Sequence, residues 1–491
     1  MLLSRRGMIA GAAVLGGGVL VAARLKQSYA ADRQTLRIPL LIDTRKQAGP
    51  TWLRAGVGST EFFPGRASQT LGYNGGYLGP TLRVHRGDDV HLAVTNALAE
   101  DTTVHWHGLL VSSEVDGGPH QLIRPGTTWR PTLSVRQPAA TLFYHPHVHG
   151  RTAEQVYSGL AGVLIVTDDE EQALRLPSDY GVDDLPLVLQ DRQFEDGRMV
   201  LPQGMMVVLQ GRRGDTLLVN GTPNAVARVS AGLVRLRLVN GSNARIFDLT
   251  FGDGPAFHWI ASEGGLLEVP VVLRFLTLAP GERAEILVDF SDGAPVALRT
   301  AADSNIPMMM GMMERQTSAA GIIGSHDDLL HFEPGPPNRR SIAVPDRLVR
   351  RKPKPVANIA RRRQFTLDMG MGMGMGGGQE GGGMAGGING QPFDMKRVDE
   401  RVRLGDSEIW EVSGEMMAHP FHIHGVQFEV RSRNGTRPLI RDQGYKDTVL
   451  VKEPVELLVH FTQPAVNAPF MYHCHILEHE DGGMMGQFLT T

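Results

Sequence analysis

The segment MYHCHILEHEDGGMM, residues 471–485, holds the only cysteine of a 491-residue chain. His473 and His475 flank Cys474, and His479 and Met484 follow closely. A deprotonated thiolate is a soft ligand that suits copper. If His473-Cys474-His475 is extended, side chains alternate and Cys474 points away from both neighbours. His479 is near enough in sequence for the chain to turn back onto the sulfur. His419 lies three residues before His422, an odd offset on a strand, so it can face away from the His422/His424 pair. Met484 offers a weak axial thioether, with Met485 directly beside it. Two His, one Cys and a long axial Met are the ligands of a blue-copper electron-transfer site. A buried core cysteine would explain the thiol but not the histidines around it.

Eight of the 18 histidines form four His-x-His pairs: His105/His107, His145/His147, His422/His424 and His473/His475. His149 extends the second pair to a triplet. On a strand, residues i and i+2 share a face, so each pair can aim two imidazoles at one point. Two pairs lie early in the chain and two late. Packing those regions face to face gathers eight imidazoles, enough for a cluster of several metal ions. A catalytic zinc keeps about three protein ligands and an open position, and would leave most of these histidines unused. A two-copper nitrite reductase would not need four pairs either.

The elements that must position these residues read as strands. Residues 35–42, 89–95, 233–239 and 455–461 are β-like, bounded by Asn-Gly, Asp-Gly and Pro-Gly turns, and helical periodicity is scarce. The segments RGDDVHLAVTN (86–96), AGLVRLRLVN (231–240) and LGDSEIWEVSG (404–414) look like one strand used three times, about 150 to 170 residues apart. The expectation is an all-β chain of three antiparallel β-sandwiches: domain 1 over 33–170, domain 2 over 171–335 and domain 3 over 364–491. A Pro/Arg-rich linker, 336–363, reads as solvated chain. Residues 1–31 read as a twin-arginine signal peptide, with Arg5-Arg6, an apolar run too short for a membrane span, and a small-residue cleavage site at Ser28-Tyr29-Ala30. That predicts the twin-arginine export machinery as a partner and a periplasmic location. A net charge of −3 makes nucleic acid an unsuitable partner, and one cysteine excludes an internal disulfide.

Methionines cluster at Met308–Met313 and again in the Gly-rich segment 369–387, which reads as a mobile loop; Met416 and Met417 precede His419. Thioethers favour Cu(I). A core stripe would alternate with Leu, Ile and Val, whereas MGMGMGMGGG alternates with Gly. The array therefore points to cuprous ions; the alternative is an adaptable apolar surface that receives organic substrates.

The motifs HWHG (105–108), HPHVHG (145–150), HPFHIHG (419–425) and HCHILEHEDGGMM (473–485) resemble the four copper motifs of the multicopper oxidases, in the family's order. The resemblance implies three cupredoxin-like Greek-key β-sandwich domains and four copper ions: one type 1, one type 2 and two type 3. By position it assigns His419, Cys474, His479 and Met484 to the type 1 copper. It assigns His105 and His422 to type 2. It gives the type 3 pair His107, His145, His147, His424, His473 and His475. His149 falls outside this pattern. The middle domain is implied to be copper-free, a spacer between the outer two. The implied reaction takes four single electrons from a reductant and reduces dioxygen to two waters, with Asp116 and Glu480 at the proton-relay positions.

Residues 388–395 and 414–425 further resemble the periplasmic cuprous oxidases of bacterial copper tolerance. Glu415 and Met417 match positions of the family's substrate-copper site, although Asp is usual where this chain has Glu415. Asp368 and Met369 complete the candidate set. The Met-rich insert is shorter than the family's and Gly-spaced. The expected function is therefore Cu(I) oxidation by a monomer, in copper detoxification. The rivals are a laccase-like oxidase of phenols or aromatic amines, and a non-enzymatic copper-sequestering protein. Copper-free relatives of the fold act in structural or division-associated roles.

Overall fold

The structure is a computed structural model and describes residues 33–303, 305, 326–337, 342–350, 359–369 and 386–491. The expected signal peptide, most of the Gly/Met segment, the Met308–Met313 cluster and parts of the linker lie outside the described residues.

Among the described residues six sheets enclose three large hydrophobic cores, and the protein is all-β. In the first third, a sheet containing Thr51–Phe63, Arg66–Tyr73 and Asp89–Asn96 faces one that ends in Ala140–His145 and His105–His107. In the last third, the strands Arg361–Asp368, Ser407–Gly414 and Val455–His460 form one sheet. The opposite sheet is built from Met485–Thr490, Phe470–Cys474, His419–Ile423 and Thr448–Val451. Its strands are buried along their whole inner length, which is why they read as apolar runs interrupted by histidine.

The threefold sequence echo has a structural counterpart. The strands Asp89–Asn96, Leu233–Asn240 and Ser407–Gly414 each pair in parallel with a long strand: Thr51–Phe63, Asp184–Glu195 and Arg361–Asp368. Two placements differ from the sequence expectation. Gln34–Thr35 pairs with Ala225 and Val226, so the first described strand belongs to the middle sandwich's sheet. The expected linker also ends early, because a strand is already under way at Arg361.

Leu233–Asn240 shows how the polar half of a period-2 pattern can be buried. Arg235 and Arg237 are 1 % and 3 % exposed. Glu285 and Asp184 on neighbouring strands of the same sheet, Glu171 in the helix Asp169–Ala173 and Thr141 of the first sandwich take their guanidinium groups. Burial alone would lower these arginines, but the surrounding carboxylates raise them, so both stay charged. This joint locks the middle sandwich to the first. Among the described residues helices are short, and none is long and apolar enough to cross a membrane.

Candidate metal centre

One strand serves two groups of candidate ligands. Phe470–Cys474 lies between His419–Ile423 and Met485–Thr490, with Phe421 opposite Cys474 and His422 opposite His473. The alternation turns Cys474 into the third core and His473 to the other face. Past the strand, residues Leu477–Asp481 form a single helical turn, in which the His479 and Glu480 amides donate to the Ile476 carbonyl. That turn brings His479 Nδ1 to 3.7 Å from Cys474 Sγ, while His419 Nδ1 lies at 3.5 Å. All three residues are buried. His419 Nε2 donates to the Glu415 carbonyl at 2.9 Å, and His479 Nε2 donates to the Leu209 carbonyl at 3.2 Å. Each ring is thereby held in the tautomer that presents its Nδ1 lone pair to the sulfur. Met484 is fully buried in the same core, and its carbonyl accepts from the Cys474 amide.

Burial pushes the Cys474 thiol well up and lowers the imidazoles, His419 to about 4 and His479 to about 3. Neutral imidazoles are ready ligands. A thiolate in this apolar pocket requires a cation to balance its charge.

The second set gathers the four His-x-His pairs, all buried, from the first and third sandwiches. The Nε2 atoms of His147 and His424 stand 3.1 and 3.2 Å from His473 Nε2. His107 Nδ1 lies 3.4 Å from His145 Nε2, with the His475 ring 5.0 and 5.4 Å from those two rings. His105 Nε2, His422 Nε2 and both ring nitrogens of His475 are buried without a hydrogen-bond partner. The outward nitrogens are mostly occupied. Nδ1 of His105 and His422 meets the carbonyls of Asp116 and Asp447, and Nδ1 of His145 and His473 those of Pro146 and Cys474. Desolvation lowers His107, His145, His147, His424, His473 and His475 well below the usual imidazole range. Converging lone pairs on neutral rings, with orphaned atoms among them, fit cations bound at the centre; imidazole and thiolate together suit copper.

Asp116 and Glu480 stand at the edges of this cluster. Asp116 Oδ2 accepts from His424 Nδ1 at 2.8 Å. The turn after it needs Gly117, at φ +84°, because a Cβ there would lie 1.7 Å from the Val104 carbonyl oxygen. Glu480 is fully buried, 3.4 Å from His147 Nδ1 and 3.3 Å from His473 Nδ1. Desolvation, then the charge of Asp481, holds its carboxyl well above the usual range. Asp481 instead caps the helix Thr152–Tyr157, accepting from the Thr152 and Ala153 amides.

The residues expected at a substrate copper are placed unevenly. Glu415 is exposed and meets His419 through its backbone. Met417 is half-buried against the third core, and Met416 is 42 % exposed. Met369 is buried and lines a small cavity with Leu209, His479 and Met484. The Asp368 carboxylate accepts from the Gly390 amide and so holds a turn. His149 lies apart from the cluster, against Phe393.

Four contributors were not legible in the sequence. Leu209 acts through a backbone carbonyl, which carries no side-chain signal. Asp447 and Thr448 reach His107 Nε2, both at 3.1 Å, and their only trace is a buried polar pair at the head of an apolar run. Arg283, from the middle sandwich, grips Asp447.

Models of the multicopper oxidase family match residues 57–171 and 363–491. The cell division protein FtsP of Escherichia coli is 38 % identical over 100 % of this chain and 99 % of its own length. The multicopper oxidase mco of Staphylococcus aureus is 35 % identical, covering 94 % and 93 %. Among solved structures, a laccase-like multicopper oxidase CueO from Ochrobactrum sp., described as active towards lignin model compounds and lignosulfonate, is 39 % identical at a TM-score of 0.83, covering 93 % of this chain and 100 % of that one. A Campylobacter jejuni multicopper oxidase, described as a metallo-oxidase, is 29 % identical at a TM-score of 0.80, covering 94 % and 96 %. With family matches over both outer sandwiches, full-length relatives and two buried ligand sets of copper-binding type, this chain belongs to the multicopper oxidase family.

Proposed function

We propose that the protein is a four-copper oxidase that couples four one-electron oxidations of substrate, foremost Cu(I) to Cu(II), to reduction of dioxygen to two waters. The observation that carries this reading is the strand around Cys474. Its sulfur faces His419 and His479 on one side, while His473 and His475 belong to the eight-imidazole cluster on the other. His419, Cys474 and His479, with Met484, would hold the type 1 copper. His105 and His422 would hold type 2, and His107, His145, His147, His424, His473 and His475 the type 3 pair. When bound, the coppers supply one-electron acceptance from substrate and the reduction of dioxygen.

The chain supplies geometry and protons. Cys474 and its flanking histidines form a continuous covalent path between the two ligand sets. Glu480, whose carboxyl burial holds well above the usual range, is placed to carry a proton next to His147 and His473. Asp116 holds the His424 ring in place. Burial of the whole cluster excludes bulk water from the reacting oxygen. At the type 1 face, Met416 and Met417 supply thioethers beside His419, with Glu415, Asp368 and Met369 as further candidate groups for the substrate ion. With the expected export signal, this reading places the enzyme in the periplasm, in copper detoxification.

A laccase-like activity on phenols is favoured by a separate observation. The helix Met205–Gln210 exposes Met205, Met206 and Val208 one residue from the Leu209 carbonyl that holds His479. Such an apolar surface can receive an aromatic reductant. The relatives named as cell division proteins raise a non-enzymatic role, and copper sequestration is another.

The test is copper stoichiometry with oxygen uptake. Four coppers per chain, a blue thiolate band and rapid oxygen consumption with Cu(I) support the reading; one copper or none, without oxygen uptake, overturns it. Deletion of residues 370–384 that left Cu(I) oxidation unchanged would refute a role for the Met array in delivering substrate.

A further inference from the structure

The middle sandwich carries no His-x-His pair, and by resemblance it is a spacer. It nevertheless reaches the cluster. Its Pro280-Gly281-Glu282-Arg283 turn lies against the type 3 imidazoles. A Cβ on Gly281, at φ +80°, would come within 2.9 Å of His475 Nε2 and 3.0 Å of His107 Cε1. The next two residues, Glu282 and Arg283, meet Lys446 and Asp447 of the third sandwich respectively, each pair of opposite charge. Lys446 Nζ lies 2.8 Å from Glu263 and 3.3 Å from Glu282. Arg283 donates through both terminal nitrogens to both oxygens of Asp447, at 2.6 Å each. All five side chains are buried.

Asp447 then touches ligands from both outer sandwiches. Its Oδ1 accepts from His107 Nε2 at 3.1 Å, and its carbonyl accepts from His422 Nδ1 at 2.9 Å. His107 is the exception in the cluster. His105, His145, His422, His424 and His473 are held by oxygen at Nδ1, which leaves Nε2 facing inward. His107 is held at Nε2, so its Nδ1 faces His145.

We propose that Arg283 is a positioning residue of the copper cluster. By gripping both oxygens of Asp447 it aims Oδ1 at His107, keeps the His107 proton on Nε2 and turns Nδ1 inward. Two parallel hydrogen bonds from a planar guanidinium fix both the place and the rotation of a carboxylate. Without them Asp447 keeps one side-chain donor besides His107, the Thr448 hydroxyl at 2.9 Å from Oδ1, and a single rotatable hydroxyl does not fix the carboxylate plane as the guanidinium fork does. The middle sandwich is then a working wall of the cluster and not only a spacer. This inference rests on the copper reading above.

The test compares purified, copper-loaded wild type, Arg283→Gln and Glu263→Gln. The readouts are copper per chain after dialysis against a chelator, the type 2 electron paramagnetic resonance spectrum and the blue thiolate band. In Arg283→Gln the blue band stays and the cluster coppers are retained about 10- to 100-fold more weakly, with an altered type 2 signal. Glu263→Gln breaks an ion pair of the same interface without touching Asp447, and keeps the wild-type spectrum. Equal disturbance in both variants would overturn the proposal by showing general loosening of the interface; so would a wild-type spectrum and retention in Arg283→Gln. If Arg283→Gln does not fold, Arg283→Lys keeps the charge without the fork. An altered cluster with an intact blue band supports the proposal there, and wild-type behaviour refutes it. A wild type that binds fewer than four coppers sinks the functional reading itself, and this inference with it.

Discussion

Stripped of copper, the protein should be sensitive to acid through its buried imidazoles, and His419 allows the effect to be isolated. Desolvation lowers this ring from the ordinary 6.5 to about 4, although its Nε2 donates to the Glu415 carbonyl. The folded chain therefore binds fewer protons at this site than the unfolded chain between pH 6.5 and 4. His419's contribution to stability is intact above pH 6.5 and is lost as pH falls towards 4. A shift of about 2.5 units amounts to about 3.4 kcal/mol in full, of which about 2 kcal/mol is lost between pH 7.5 and 5. Buried carboxyls shift the other way. Asp481 and Glu263 are each raised to about 7, so they gain stability over the same window. The total curve therefore does not isolate His419, but a difference does. His419→Gln is neutral at every pH and keeps a donor for the Glu415 carbonyl. Urea unfolding of both apoproteins at pH 7.5 and pH 5 should show wild type losing about 2 kcal/mol more than the variant. A difference unchanged with pH would refute the argument that this ring is held neutral by burial.

Cys474→Ser should abolish the blue band and remove one copper of the four, leaving the cluster's type 2 resonance in place. Glu480→Gln should slow oxygen consumption about 100-fold while stopped-flow bleaching of the blue band by substrate keeps its wild-type rate, because only the proton store is removed. Gly281→Ala sets a methyl against His475 and His107 at a left-handed backbone position. It should cost about 1–3 kcal/mol in thermal unfolding and lower cluster copper content.

The gathering of these residues into two buried clusters was legible in the sequence because strand geometry converts spacing into direction. The alternation of His473, Cys474 and His475 specifies two faces, and the odd offset between His419 and His422 specifies which face His419 takes. The return of His479 needed only a short turn, supplied by the helical residues Leu477–Asp481. What the sequence concealed acts through backbone or across sandwiches. Leu209 contributes a carbonyl that any residue type would offer. Asp447, Arg283 and the Arg235/Arg237 pair look like surface charge in a strand pattern. Their burial depends on how separate sandwiches meet, and period-2 reading carries no information about that. The pairing of Gln34–Thr35 with Ala225 and Val226, far along the chain, was hidden for the same reason.

The pattern of unsatisfied atoms bears on the choice between an oxidase and a metal-free scaffold. His105 Nε2, His422 Nε2 and both ring nitrogens of His475 are buried without partners. Each such atom costs about 1–3 kcal/mol when nothing meets it. Four of them together rival the whole net stability of a typical domain, about 5–15 kcal/mol. A scaffold that worked without metal would be more stable with these rings replaced by apolar side chains of similar volume. Instead the outward nitrogens of His105 and His422 are held by the backbone carbonyls of Asp116 and Asp447, which fixes the direction of their inward lone pairs. That arrangement lowers the net stability of the apoprotein and is offset only when a cation binds the folded state and not the unfolded one. On the copper reading proposed above, a division-associated role for this chain would operate with copper bound. A measured rise in thermal stability on copper loading, lost in a His105/His422 double variant, would establish that linkage, and no rise would refute it.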